Sequence, residues 1–129
     1  MQLTRVSGAS RKATAPLAFV AAARVGVGAA MILVPGRFYP QGSGTETLLM
    51  RTIGIRDVVL GSGGCAAWAR GAGVEVRRWA TAGLLSDCAD TFTGVASRSQ
   101  IGSGSARIAA LSPLPFVAAG IFGLARRPG

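Results

Sequence analysis

Histidine is absent from the 129-residue chain, and only five residues are acidic. Without imidazole there is no His-ligated haem, none of the commonest zinc sites and no Ser-His or Cys-His nucleophilic dyad. Cysteine is scarce as well. Cys65 and Cys88 fall at different depths of different apolar stretches, which argues against a disulfide and for two small buried thiols. Lys12 is the lone lysine, among abundant alanine, glycine and arginine. That usage fits the coding bias of a GC-rich bacterium. No catalytic signature and no cofactor motif stands out, so the expectation is a non-enzymatic protein without a cofactor.

Charge is low in total and uneven in sign. Charged residues make up 15% of the chain and apolar residues 50%, whereas a soluble domain averages about 25% charged. The apolar residues gather in four blocks, 16–34, 47–68, 78–96 and 106–124. Each is close to the roughly 20 residues that a helix needs to cross the hydrocarbon of a bilayer. The expectation is an all-α fold: a polytopic bundle of four transmembrane helices forming one domain over residues 1–129. Pro35-Gly36 ends the first block. Ser43 and Glu46 have capping-box spacing ahead of the second, and Gly71 and Gly73 close it. Pro113 and Pro115 should kink or loosen the start of the fourth.

The net charge of +9 raises the question of nucleic acid. The basic residues form no stripe interleaved with aromatics. They cluster at the ends of the apolar blocks, as flanking charge does in membrane proteins, so the expected partner is a lipid bilayer and not nucleic acid. One side would receive Arg5, Arg11, Lys12, Arg70, Arg77, Arg78, Arg126 and Arg127, the other Arg37, Arg98 and Arg107. That asymmetry places both termini on the cytoplasmic side of a bacterial plasma membrane. Trp68 and Trp79 would anchor the basic interface, and Phe38 and Tyr39 the opposite one. An export signal ending at Ala21-Ala22-Ala23 is the alternative for the N-terminus. Apolar sequence continuing past Arg24 to Val34 favours a span.

Five charges lie near the middle of these blocks. Arg24 is near the centre of the first, Arg56 and Asp57 of the second, and Asp87 and Asp90 of the third. A charge in such a stretch is costly in lipid and turns inward to a partner or a watery cavity. The faces agree: Gly54, Asp57, Gly61 and Gly64 form one narrow helical stripe, and Gly83, Asp87, Asp90 and Gly94 another. Arg24 shares its face with Ala21 and Gly28. Small residues on such stripes let helices approach closely. The expectation is that Asp57 and Asp87 pair with Arg24 and Arg56. Two arginines against three aspartates leave one formal negative charge, which singles out Asp90 as the surplus carboxyl and the candidate proton or ion carrier. Arg51 can reach the interface as an anchor. Gly26, Gly28, Gly120 and Gly123 are candidates for packing faces between copies.

Several motifs fail on inspection. Asp87-x-x-Asp90 has the start of the signature of membrane transferases that join CDP-alcohols to acceptors, but Thr91 stands where that signature needs glycine and no later aspartate follows. Asp87 and Asp90 alone are few ligands for a divalent metal. Gly61-Ser62-Gly63-Gly64 lacks the lysine of a phosphate loop. The run Arg51-x-x-Gly54-x-Arg56-Asp57-x-x-Leu60-Gly61, with an acidic third block, resembles small four-helix bacterial membrane proteins of the DoxX-like type. The resemblance covers about the middle half of the chain and implies a fold and a location more than an activity. Some members of that type are described as accessory subunits near quinone or redox systems. The leading expectation is therefore a non-enzymatic accessory or structural subunit, in a homo-oligomer or a larger membrane complex. A minimal transporter or proton-handling protein is the first alternative, and a quinone-associated redox component the second.

Overall fold

A computed structural model describes residues 2–101 and 113–126, with side chains over 8–100 and 113–126. The described residues are all-helical and contain no strand. Three long helices, α1 (Gln2–Leu33), α3 (Gly44–Ala69) and α4 (Gly73–Ala96), are joined by a short helix α2 (Pro35–Phe38) and a tight turn. A second short helix, α5 (Arg98–Ile101), follows α4, and α6 (Leu114–Ala125) closes the described chain. Residues 106–112 of the fourth apolar block lie outside the described residues.

Each boundary has a local cause. Pro35 has no N–H to continue α1, and it opens α2 at a position where that donor is not needed. The capping box at α3 is present: Ser43 Oγ accepts from Glu46 N at 3.4 Å, and Glu46 Oε2 accepts from Ser43 N at 2.6 Å. At its other end Gly71 takes φ 70°. Gly71 N donates to Trp68 O at 2.9 Å and Ala72 N to Ala67 O at 3.0 Å, the paired bonds of a Schellman cap. The chain can then reverse at once into α4. Pro113 and Pro115 stand at the start of α6, where prolines without donors are tolerated.

The long helices run up and down. α1 opposes α3 along its length, with Gly28 against Gly54, Ala21 against Gly61, and Arg11 donating to Ala69 O. α4 is antiparallel to α3, and the Trp79 ring covers Gly63. α6 is antiparallel to both α1 and α4, through Gly123 beside Leu17 and Arg77 Nη2 donating to Leu124 O at 2.6 Å. The buried positions of α1 are Thr14, Leu17, Ala21, Arg24, Gly28 and Met31. Those of α3 are Met50, Gly54, Asp57, Gly61, Gly64 and Ala67. Spacings of three and four let neighbouring helices stay in register along a shallow crossing. At Gly28 and Gly54 a Cβ would come within about 2.5 Å of the facing helix's carbonyl oxygen. The contact exists only because both residues lack one.

Several expectations need correction. α1 begins at Gln2 and carries Pro16 internally, well before the apolar block starts. Its polar first half is held by contacts that hydropathy does not encode, such as Trp68 Nε1 donating to Arg11 O at 3.1 Å. The half-buried Trp79 ring also packs on α3 at Gly63, so it joins two helices as well as standing beside the basic turn. Cys88 is exposed and Cys65 half-buried, so neither is a core thiol. Gly28, Gly120 and Gly123 are buried within the chain, which leaves only Gly26 of the four with open space around it. Among the described residues one stretch, Gly8–Leu33, is long and apolar enough to cross a membrane, and α6 is a shorter apolar helix.

Candidate functional site

Arg24 projects from the C-terminal half of α1 into the space between α3, α4 and α6. Gly83 on α4 makes room for it: a Cβ there would lie 3.1 Å from the guanidinium. On the other side the guanidinium lies over the Phe116 ring of α6, 4.7 Å from its centroid. Arg24 thus touches every other major helix.

Its fork grips Asp87. Nη1 donates to Oδ1 at 3.1 Å, and Nη2 donates to Oδ2. Nη1 also donates to Asp57 Oδ1 at 3.1 Å. Arg56 extends the network from α3. Its Nη2 donates to Asp57 Oδ1 at 3.3 Å and stands 3.8 Å from Asp87 Oδ1, while its Nη1 donates to Asp90. All five charged residues singled out from the sequence therefore form one connected group. The group is graded in depth. Arg24, Asp57 and Asp87 are 5%, 4% and 1% exposed, whereas the side chains of Arg56 and Asp90 are 27% and 28% exposed. Asp90 is not a solitary carboxyl, since Arg56 holds it. Arg56 Nε is buried without a hydrogen-bond partner.

The five expected packing glycines divide by what they serve. Gly54 and Gly61 bring the α1 backbone close, Gly64 receives the Ala21 side chain, and Gly83 accommodates Arg24. Gly94 is buried farther along α4. Sequence reasoning did not identify Gly28 as the counterpart of Gly54, or Phe116 as the surface beneath Arg24. The spacing of Gly28 from Arg24 carried the first signal. Nothing local carried the second, because it depends on how α6 docks.

The two ends of the network face different surroundings. Toward α2 lies a cavity of about 250 Å³ lined by Val27, Met31, Phe38, Ile53, Arg56, Asp57, Asp87, Asp90, Pro113 and Phe116. Toward the α3–α4 turn, Leu17, Ala67 and Val76 are buried together, with Trp79, Ala80 and Leu124 packed around them. The void bordering that layer is about 20 Å³, room for a water molecule and little more. The charges are therefore approachable from one end of the helices and sealed by apolar packing at the other.

Basic groups decorate the sealed end. Arg11 caps the carbonyl end of α3, and Arg77 caps that of α6. Arg70 Nη2 pairs with Glu75 Oε2 at 2.8 Å. Comparison with protein-family models, with curated proteins and with solved structures finds no match for this chain.

Proposed function

We propose that the chain is a small multi-pass protein of a bacterial plasma membrane. In this reading α1, α3, α4 and the fourth apolar block, 106–124, cross the bilayer, with both termini on the basic, cytoplasmic side. Its function is that of a non-enzymatic accessory or structural subunit, assembled with itself or with a larger membrane complex. The buried arginine–aspartate network is the lock that determines which helices pair.

The observation that carries this reading is inverted burial. Arg24, Asp57 and Asp87 are almost fully enclosed, while Phe19, Phe92 and Leu85 are 76%, 76% and 66% exposed. Water-soluble folds bury large apolar side chains and leave charges outside. A chain surrounded by hydrocarbon gains nothing by hiding phenylalanine and must hide its charges. The charges in the middle of α3 and α4, Arg56, Asp57, Asp87 and Asp90, are turned toward one another, while Ile55, Val59, Leu85 and Phe92 face outward beside them. At about 39 Å and 36 Å, by helical rise, both helices are long enough to span.

Membrane fractionation tests the reading. The full chain should remain with the membranes after alkaline carbonate extraction, and reporters fused to either terminus should read cytoplasmic. Release into the aqueous fraction, or termini on opposite sides, removes the four-span reading. The cavity beside three aspartates favours a second reading, a minimal transporter or proton-handling protein. Purification in mild detergent and reconstitution in vesicles separate the two: a stoichiometric partner protein supports the subunit reading, and a proton flux that Asp90→Asn abolishes supports transport.

A further inference from the structure

The cavity beside the network has a composition of its own. Its charged lining is one arginine, Arg56, against three aspartates, Asp57, Asp87 and Asp90. Arg24 borders the small void on the opposite side instead. Counting Arg24 as well still leaves one carboxylate in excess, so the space carries surplus negative charge. The remaining lining is apolar and polarizable: Met31 with the rings of Phe38 and Phe116, beside Val27, Ile53 and Pro113. Ring faces attract cations, and Phe116 already carries the Arg24 guanidinium.

Geometry narrows the kind of cation. Among the described residues no three acidic, cysteine or histidine side chains converge closely enough to hold a metal ion. The carboxylates are spread along two guanidinium forks, an arrangement that suits diffuse positive charge better than a compact ion needing several oxygens at once. A volume of about 250 Å³, set against the ~150 Å³ that holds benzene, leaves room for roughly ten non-hydrogen atoms. Access runs past the half-buried Asp90 and the exposed Phe38, since the other end is closed by the Leu17, Ala67 and Val76 layer.

We propose that this cavity binds a small amphipathic organic monocation, an aryl- or alkylammonium ion, with its charged head beside Asp90 and its apolar body against Phe38 and Phe116. The site goes beyond the subunit reading and does not depend on it, because binding is read on purified protein in micelles and membrane location by fractionation.

The test is calorimetric titration of the full chain, in a neutral maltoside detergent, with benzyltrimethylammonium. Benzoate and benzyl alcohol serve as the anionic and neutral comparators. Circular dichroism confirms that each variant is helical. The expected result is saturable binding of one benzyltrimethylammonium per chain, with benzoate and benzyl alcohol at least tenfold weaker. Asp90→Asn should weaken the cation tenfold or more. Val27→Phe, which fills the cavity from α1 without touching the carboxylates, should abolish binding and keeps the test decisive if Asp90→Asn loses helicity. Benzoate binding as well as the cation, benzyl alcohol binding equally well, or no cation binding to helical protein would each overturn the proposal. So would undiminished binding to Val27→Phe.

Discussion

Asp87→Asn is the most informative single change at the network. The side chain is isosteric, so packing is preserved and only charge and donor pattern change. Asp87 is 1% exposed and accepts both arms of the Arg24 fork, with Arg56 a further 3.8 Å away. An asparagine can offer its oxygen to one guanidinium nitrogen, but its amide then points N–H groups at the other. Arg24 would be left with Asp57 as its one charged acceptor. Removing one partner of a buried pair costs about 3–5 kcal/mol. Asp90→Asn breaks a pair that is more than a quarter exposed, so a loss of about 1–2 kcal/mol is expected, between the exposed and buried cases. Adding Arg24→Gln to Asp87→Asn removes the stranded charge, and the double variant should be more stable than the sum of the two single losses by about 2 kcal/mol. The assay is denaturant unfolding in micelles, followed by helicity. Equal losses for Asp87→Asn and Asp90→Asn, or strict additivity in the double variant, would refute the view that Arg24 and Asp87 form the central pair.

Three further outcomes follow from the packing. Gly61→Leu should abolish folding, because even a Cβ would stand 2.5 Å from Ala21 O, whereas Ala66→Leu on the exposed face should be tolerated; folded yield in micelles compares them. Gly71→Ala should lower stability by about 1–2 kcal/mol, since φ 70° puts its Cβ against the following carbonyl, and the unfolding midpoint reads this directly. Exposed Cys88 should react faster than half-buried Cys65 with a small neutral maleimide in micelles, and mass spectrometry of partly labelled protein should locate the first adduct on α4.

What the sequence disclosed and what it hid divide along a physical line. Asp57 with Gly54, Gly61 and Gly64, and Asp87 with Gly83 and Gly94, were legible as stripes because helical spacing alone assigns them to one face. The capping box at Ser43 and Glu46 was legible because both halves lie within four residues. The start of α1 was not, because residues 8–15 have no apolar period and meet α3 and α4 through Arg11 at Trp68 and Ala69 and through Ser10 beside Gly73. A count of charges makes Asp90 the surplus carboxyl, yet Arg56 is long enough to reach across to α4 and hold it. Gly28, Gly120 and Gly123 face their own chain, but one sequence cannot say whether a small residue faces its own chain or another. The cavity was illegible for the same reason: its lining comes from five helices and from Pro113 at the start of the last.

The central claim is that α4, like its neighbours, turns charge inward and large apolar side chains toward lipid. Spin labels placed singly at residues 84, 85, 86, 89, 92 and 93, in a background lacking Cys65 and Cys88, measure it directly in lipid vesicles. Collision with dissolved oxygen, which concentrates in hydrocarbon, should be highest at positions 85, 89 and 92 and lowest at 84 and 86, which flank the buried stripe, repeating every helical turn. Collision with a water-soluble nickel chelate should stay low at 85 and 92. High nickel-chelate accessibility at those two positions would contradict the account, because it would put Leu85 and Phe92 in water and leave the burial of Arg24, Asp57 and Asp87 without the lipid that explains it.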